Sequence, residues 1–161
     1  MTISRLKSDL VLVFKYGING ILSLLRALLW LRSMPRNPKK ICIHRVGQIG
    51  DILCAIPAIK AIRKAYPEAE ITLLTSPGEE GNPGAAELLK GAEWIDHLHV
   101  YYSTELNSLR KIWLFANKLK NERFDIWFQL PQDLTTFKTE LRNMFFARVI
   151  GVKWAGGYHV N

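Results

Sequence analysis

The chain has 161 residues, of which 48 % are hydrophobic and 22 % charged, with a formal net charge of +8 and a pI near 9.7. That length suits one domain of ordinary size with a real core, and the composition is globular rather than disordered. The basic pI invites nucleic acid as a partner, but residues 1–40 hold eight basic side chains against Asp9 alone, and the remaining 121 carry 14 basic and 13 acidic groups. The globular part is close to neutral, so the positive charge belongs to an N-terminal arm and argues against nucleic acid.

In chain order, residues 10–31 form an apolar run long enough to cross a bilayer as a helix. Lys15, Asn19, Ser23 and Arg26 recur at helical spacing and, with Ser8, line one narrow stripe opposite a broad apolar face. Basic residues flank both ends, which leaves a crossing without orientation. Lys15 and Arg26 interrupt the run and no Ala-x-Ala-like site follows, which disfavours a signal peptide. The pattern over residues 1–34 reads as an amphipathic helix in the membrane interface, with Lys15, Arg26 and Trp30 at headgroup level. Packing on its own domain or on a partner subunit, and true spanning, are the alternatives. Pro35 and Pro38 mark residues 35–40 as a stiff, extended linker.

Residues 41–161 alternate. A strand is expected over 41–45, a helix over 51–65 with Pro57 in its first turn or at a kink, and a strand over 70–75. After a Gly- and Pro-rich loop at 76–84, a short helix near 85–90 precedes a strand near 95–101 and a helix over 106–121. A strand at 124–130, a helix at 138–149 and a strand near 153–158 complete the series. This alternation means βαβ units: an α/β, doubly wound, mainly parallel Rossmann-like sheet with helices on both faces. Cys42 and Cys54 read as reduced core thiols, which fits a cytosolic compartment. His97 and His99 share a strand face without a third ligand, and no Asp-x-Asp occurs, so no metal is expected.

The most informative stretch runs from Ile41 to Leu53. An Ile-rich strand meets Gly47-Gln48-Ile49-Gly50, and Asp51 stands where a helix begins. Such a loop faces the crevice beyond the carboxyl ends of the strands, where open α/β sheets bind ligands. Asp51 there either presents an ionised carboxylate to a hydroxyl or caps the helix, a usual job for Asp. The two glycines allow close approach of a ligand to the backbone, and Gln48 can offer a hydrogen bond.

Read together, the Gly50-Asp51 pair, the apolar turn with Pro57, the Ala61-Ile-Arg-Lys-Ala-Tyr-Pro67 helix end, Arg123-Phe-Asp125-Ile-Trp127 and Ala147-Arg-Val-Ile-Gly151-Val-Lys153 resemble, in order, the first half of glycosyltransferase family 9, the ADP-heptose:lipopolysaccharide heptosyltransferase-like enzymes. The resemblance covers about residues 40 to 158. It implies the N-terminal domain of a GT-B enzyme that transfers sugars with inversion and without metal or other cofactor. In that family the first domain holds the acceptor and the base, and a C-terminal domain binds the nucleotide-sugar donor, here expected to be ADP-linked. Asp51 matches the family's base, with Gly47, Gln48, Ile49 and Gly50 beside the acceptor. Gln132 and Asp133 are expected at the acceptor too, although Gln129-Leu-Pro-Gln-Asp-Leu-Thr135 departs from the family's Asp-Leu-Gln-Gly-Ser-Leu-Arg. The departure puts a heptose or Kdo acceptor in question, within the wider class of glycan or lipid-linked glycan. No residues match the donor-binding domain, so the chain by itself is expected to be inactive, as a fragment or as half of a two-chain enzyme. Location would be cytoplasmic, peripheral to the inner membrane. Two other readings stand beside this one: a non-catalytic binding module that retains the fold, and a generic nucleotide-binding α/β domain. The loop disfavours the latter because it lacks Gly-x-Gly-x-x-Gly spacing and carries an acid where phosphate would approach.

Overall fold

The computed structural model describes residues 3–82, 84–89, 91–130 and 135–160. The helices are α1 (Ile3–Leu29), α2 (Ile49–Ala65), α3 (Ala85–Leu88), α4 (Leu109–Glu122) and α5 (Phe137–Val149), and the strands are β1 (Lys40–Val46), β2 (Glu70–Ser76), β3 (His97–Val100), β4 (Ile126–Gln129) and β5 (Trp154–Gly156). All strands are parallel, in the order β3-β2-β1-β4-β5. This is the doubly wound sheet that the alternation implies, with its switch of direction between β1 and β4.

Parallel sheets need cover on both faces, and two separate apolar clusters supply it. One face carries Ile41, Ile43, Ile71 and Leu73 of the strands against Ile52 and Ile59 of α2. The other carries Cys42, Leu74, Trp127 and Ala155 against Leu119 of α4, Met144 and Ala147 of α5, and Leu22 of α1. Cys42 is buried as read, but Cys54 is exposed. It falls between Ile52 and Ala55, which take the inward positions of α2, so the helix turns its thiol outward.

Several motif residues brace this frame. Burial alone would raise the Asp125 carboxyl, but hydrogen bonds from Lys153 and from the Lys39 and Lys40 N–H groups hold it below its ordinary range. It thereby ties the linker to β1, β4 and the entry to β5. Arg63 donates to the carbonyls of Pro67 and Ala69 and pairs with Asp96, closing the end of α2 onto β2. Pro57 lies at the ninth position of α2 rather than in its first turn. The carbonyl it leaves without a helical donor belongs to Leu53, which lies on the exposed side of α2. The helix expected from 106 divides into a 3-10 turn at Ser103–Leu106 and α4, because the Ser108 side chain caps α4 by accepting the Lys111 N–H.

The N-terminal helix docks through its second half. It runs antiparallel to the strands, with Trp30 beside Val152 ahead of β5 and Asn19 beside Val160 beyond it. Asn19 donates to the Val160 carbonyl and accepts its N–H, and Arg26 lies 5.6 Å from the centre of the Trp154 ring. Trp30 corrects the headgroup reading. It is only 6 % exposed, lies near-parallel to Tyr158 and donates its indole N–H to the Val152 carbonyl at 2.9 Å. Once α1 lies on α5, the indole can satisfy both its apolar ring and its single donor inside the domain. Lys15 is half-buried. The Trp30→Ala variant should therefore unfold about 3–5 kcal/mol more easily in urea, the cost of deleting a buried Trp. A tryptophan at a lipid surface would leave the free energy of unfolding unchanged.

Candidate functional site

The end of β1 builds the site in two parts, because successive residues face opposite sides of the sheet. Arg45 points toward α2 and donates from Nη2 to Asp51 Oδ1 at 3.0 Å. The Gln48 N–H donates to Asp51 Oδ2, also at 3.0 Å, so the carboxylate folds back over the start of its own helix. That fold-back fixes the need for Gly47. Its φ is +147°, and a Cβ there would stand 2.5 Å from Asp51 Oδ2. Gly50 has open space around it and lies exposed within α2, and Ile49 is the half-buried first residue of that helix. Asp51 thus closes a capping box as the third residue of α2, behind the N-cap Gln48, with a side chain 39 % exposed and lone pairs left over for another donor.

His44 points the other way, to the base of a crevice of about 460 Å³ between α4 and α5. Leu74, Ile112, Phe115 and Phe146 make its walls apolar, and Ser76, Ser103 and Asn143 add polar groups. Arg142 is the one cation among the described lining residues. His44 Nδ1 lies 2.8 Å from Gln129 Oε1, and Nε2 lies 3.0 Å from the Tyr101 hydroxyl. Trp127 Nε1 can only donate, and it faces the same Gln129 oxygen. The assignment follows: His44 donates from Nδ1 to Gln129, and Tyr101 donates to Nε2, turning its oxygen's lone pairs to the crevice. Burial pushes His44 down to about 4, opposed by the Gln129 hydrogen bond and aided by the Arg142 cation. Burial likewise pushes the Tyr101 phenol up to about 12. Both groups are neutral near pH 7.

The structure thus brings Gly47, Gln48, Ile49, Gly50 and Asp51 together on the α2 side of the β1 end. Gln132 and Asp133 lie outside the described residues. Lys15, Arg26 and Trp30 sit on α1 or just past it, away from the Asp51 loop. The sequence reading missed His44, Arg45 and Arg142 as site residues and took Gln129 only as a motif difference. The parallel register pairs His44 with Gln129, and the packing of α5 on the sheet brings Arg142 to the same crevice; residue spacing along the chain carries neither signal.

This fold with this site defines the class: a Rossmann-like α/β domain with a crevice at the carboxyl ends of its parallel strands. No family model matches the chain. It is 28 % identical over 88 residues to the lipopolysaccharide core heptosyltransferase OpsX of Haemophilus influenzae, a match covering 55 % of this chain and 23 % of that protein. A glycosyl transferase family 9 structure from Veillonella parvula superposes with a TM-score of 0.58 at 20 % identity, over 77 % of this chain and 33 % of that one. The chain therefore spans about a quarter to a third of these relatives. Together the comparisons support a heptosyltransferase-like, family 9 relationship and a fold of that type.

Two outcomes test the geometry. Gly47→Ala should unfold about 2 kcal/mol more easily, through positive-φ strain and displacement of the Asp51 carboxylate from its capping box; calorimetry measures it, with Gly50→Ala, which meets open space inside α2, as the comparison that is unchanged or stabilised by up to about 1 kcal/mol. The second is a pH dependence. As pH falls below about 6.5 the unfolded chain protonates before buried His44 does, so the fold loses on the order of 3 kcal/mol by about pH 4. Glu140, raised by burial, contributes the opposite slope above its ordinary range, but equally in a His44→Gln variant. Urea unfolding across this window should show a flatter profile for His44→Gln, whatever its absolute stability.

Proposed function

We propose that this domain is the acceptor-binding half of an inverting, metal-independent glycosyltransferase that moves a heptose-like sugar from a nucleotide-sugar onto lipopolysaccharide or another envelope glycan. The observation that carries the reading is the crevice: an apolar slot with a few converging polar groups at the carboxyl ends of β1, β2 and β3, with Val46, the last residue before the Gly47–Asp51 segment, in its lining. The family 9 likeness supports glycosyl transfer. Arg142 at the crevice favours an acceptor carrying a carboxylate or phosphate, which a guanidinium binds through paired hydrogen bonds. Tyr101 and Ser103 suit sugar hydroxyls.

In this reading the acceptor oxygen attacks the anomeric carbon of the donor sugar. The new C–O bond forms as the bond to the nucleotide diphosphate breaks, and Asp51 receives the hydroxyl proton. A sugar hydroxyl is a weak nucleophile, and a positioned base helps most as the proton leaves. Arg45 positions the carboxylate by holding one oxygen while further lone pairs remain open. The donor, expected to be ADP-linked, is assigned to a second domain in the same or another chain. The enzyme would work at the cytoplasmic side of the inner membrane.

The test uses an enzyme that contains both halves. Asp51→Asn should lower turnover by roughly 10²–10⁴-fold, the usual loss for a general base, measured at a temperature where the variant is folded, since buried Arg45 loses its charged partner and the melting temperature should fall. Asn can accept the same Gln48 N–H hydrogen bond, so near-normal turnover would leave Asp51 a capping-box residue and favour the non-catalytic binding reading.

A further inference from the structure

The exposed apolar surface of this domain is one-sided. Apart from Leu53, every described large hydrophobic residue that is at least half-exposed lies on α1, α4 or α5, or at Leu31 just past α1. These three helices form the single layer that covers one face of the sheet. On α4, Leu109 is 86 % and Trp113 62 % exposed. On α5, Phe145 and Val149 face outward, and Leu24 and Leu28 do so on α1. Asn19 and Arg26 spend their polar groups on the domain, and the outer side of α1 is left mostly apolar, with Ser23 the exposed polar residue of its docked half.

Charge divides the same way. Residues 47–96, which include α2 and α3 on the opposite face, carry eight acidic and four basic side chains. The rest of the chain carries 18 basic and six acidic, and no acid occurs between Asp9 and Asp51. Arg110, Lys111 and Arg148 are exposed among the outward apolar residues of α4 and α5. Exposed apolar side chains ringed by cations, with aromatic Trp113 and Tyr16 among them, match an anionic lipid surface: the acyl boundary takes the apolar groups and the headgroups take the charge.

We propose that the α1–α5–α4 layer lies flat on an anionic phospholipid membrane, with α4 and α5 as part of the contact and not α1 alone. The crevice lies between α4 and α5, so its mouth opens beside the headgroups, where a lipid-linked glycan would enter. That last consequence rests on the acceptor reading above; the docking itself does not.

The experiment is flotation of the whole chain with vesicles of phosphatidylethanolamine and phosphatidylglycerol, beside vesicles of phosphatidylcholine, with no donor or acceptor present. The chain should float with the anionic vesicles and be released by salt. A Leu109→Ser/Trp113→Ser variant, folded as judged by circular dichroism, should bind on the order of tenfold more weakly or less, since two large side chains leave an apolar contact. Leu53→Ser on the opposite face should bind like the parent. Equal binding by the α4 variant, or salt-independent binding that resists carbonate, would overturn the proposal; the latter means that α1 spans the bilayer. A concentration-dependent dimer that the α4 variant dissociates, with flotation unchanged, would assign the face to a second copy instead.

Discussion

The central strand β1 is flanked by β2 and β4 and covered on both sides, and the remaining architecture depends on this double burial. A strand with no solvent face must be apolar at nearly every position, which is why Ile41, Cys42 and Ile43 run together. Polar residues enter only at its ends, Lys40 at the first and His44 and Arg45 toward the last. His44 and Arg45 point to opposite faces. One becomes the base of the crevice and the other grips Asp51, so a single strand end furnishes both halves of the site.

The motifs that carry the family resemblance do less chemistry than their recurrence suggests. Asp125 and Lys153, from two separate motifs, are partners across the β4–β5 junction. Arg63 ties α2 to β2 and Asp96. These residues hold the crossovers in place. Gly47 differs from them through a steric fact: no side chain fits between that backbone and the returning Asp51 carboxylate.

In α1 part of the apolar surface and part of the polar stripe meet the domain together. Leu22 is fully buried, and Ile18, Leu25 and Leu29 pack beside it. Asn19 clamps the Val160 backbone and Arg26 lies over Trp154, while other apolar residues, Leu24 and Leu28 among them, look outward. The periodicity was legible in the sequence, but periodicity says only that two faces differ. Which residues meet the domain follows from the partners that β5 and the segment after it present, among them backbone groups of Val160 that need a hydrogen-bonding side chain.

The amino-acid sequence by itself determined the alternation of strands and helices, the parallel doubly wound sheet, the glycine loop and the acid at the start of α2. Each of these depends on local spacing, turn chemistry or apolar periodicity, which a linear chain displays. The tertiary structure alone decided the inward turn of Trp30, the grip of Arg45 on Asp51 and the Gln129–His44–Tyr101 chain. Those pairings join residues as far as 122 positions apart, and they arise from strand register and the stacking of helices on a sheet. The residue types are visible along the chain, but the distances between them exist only once the layers have closed.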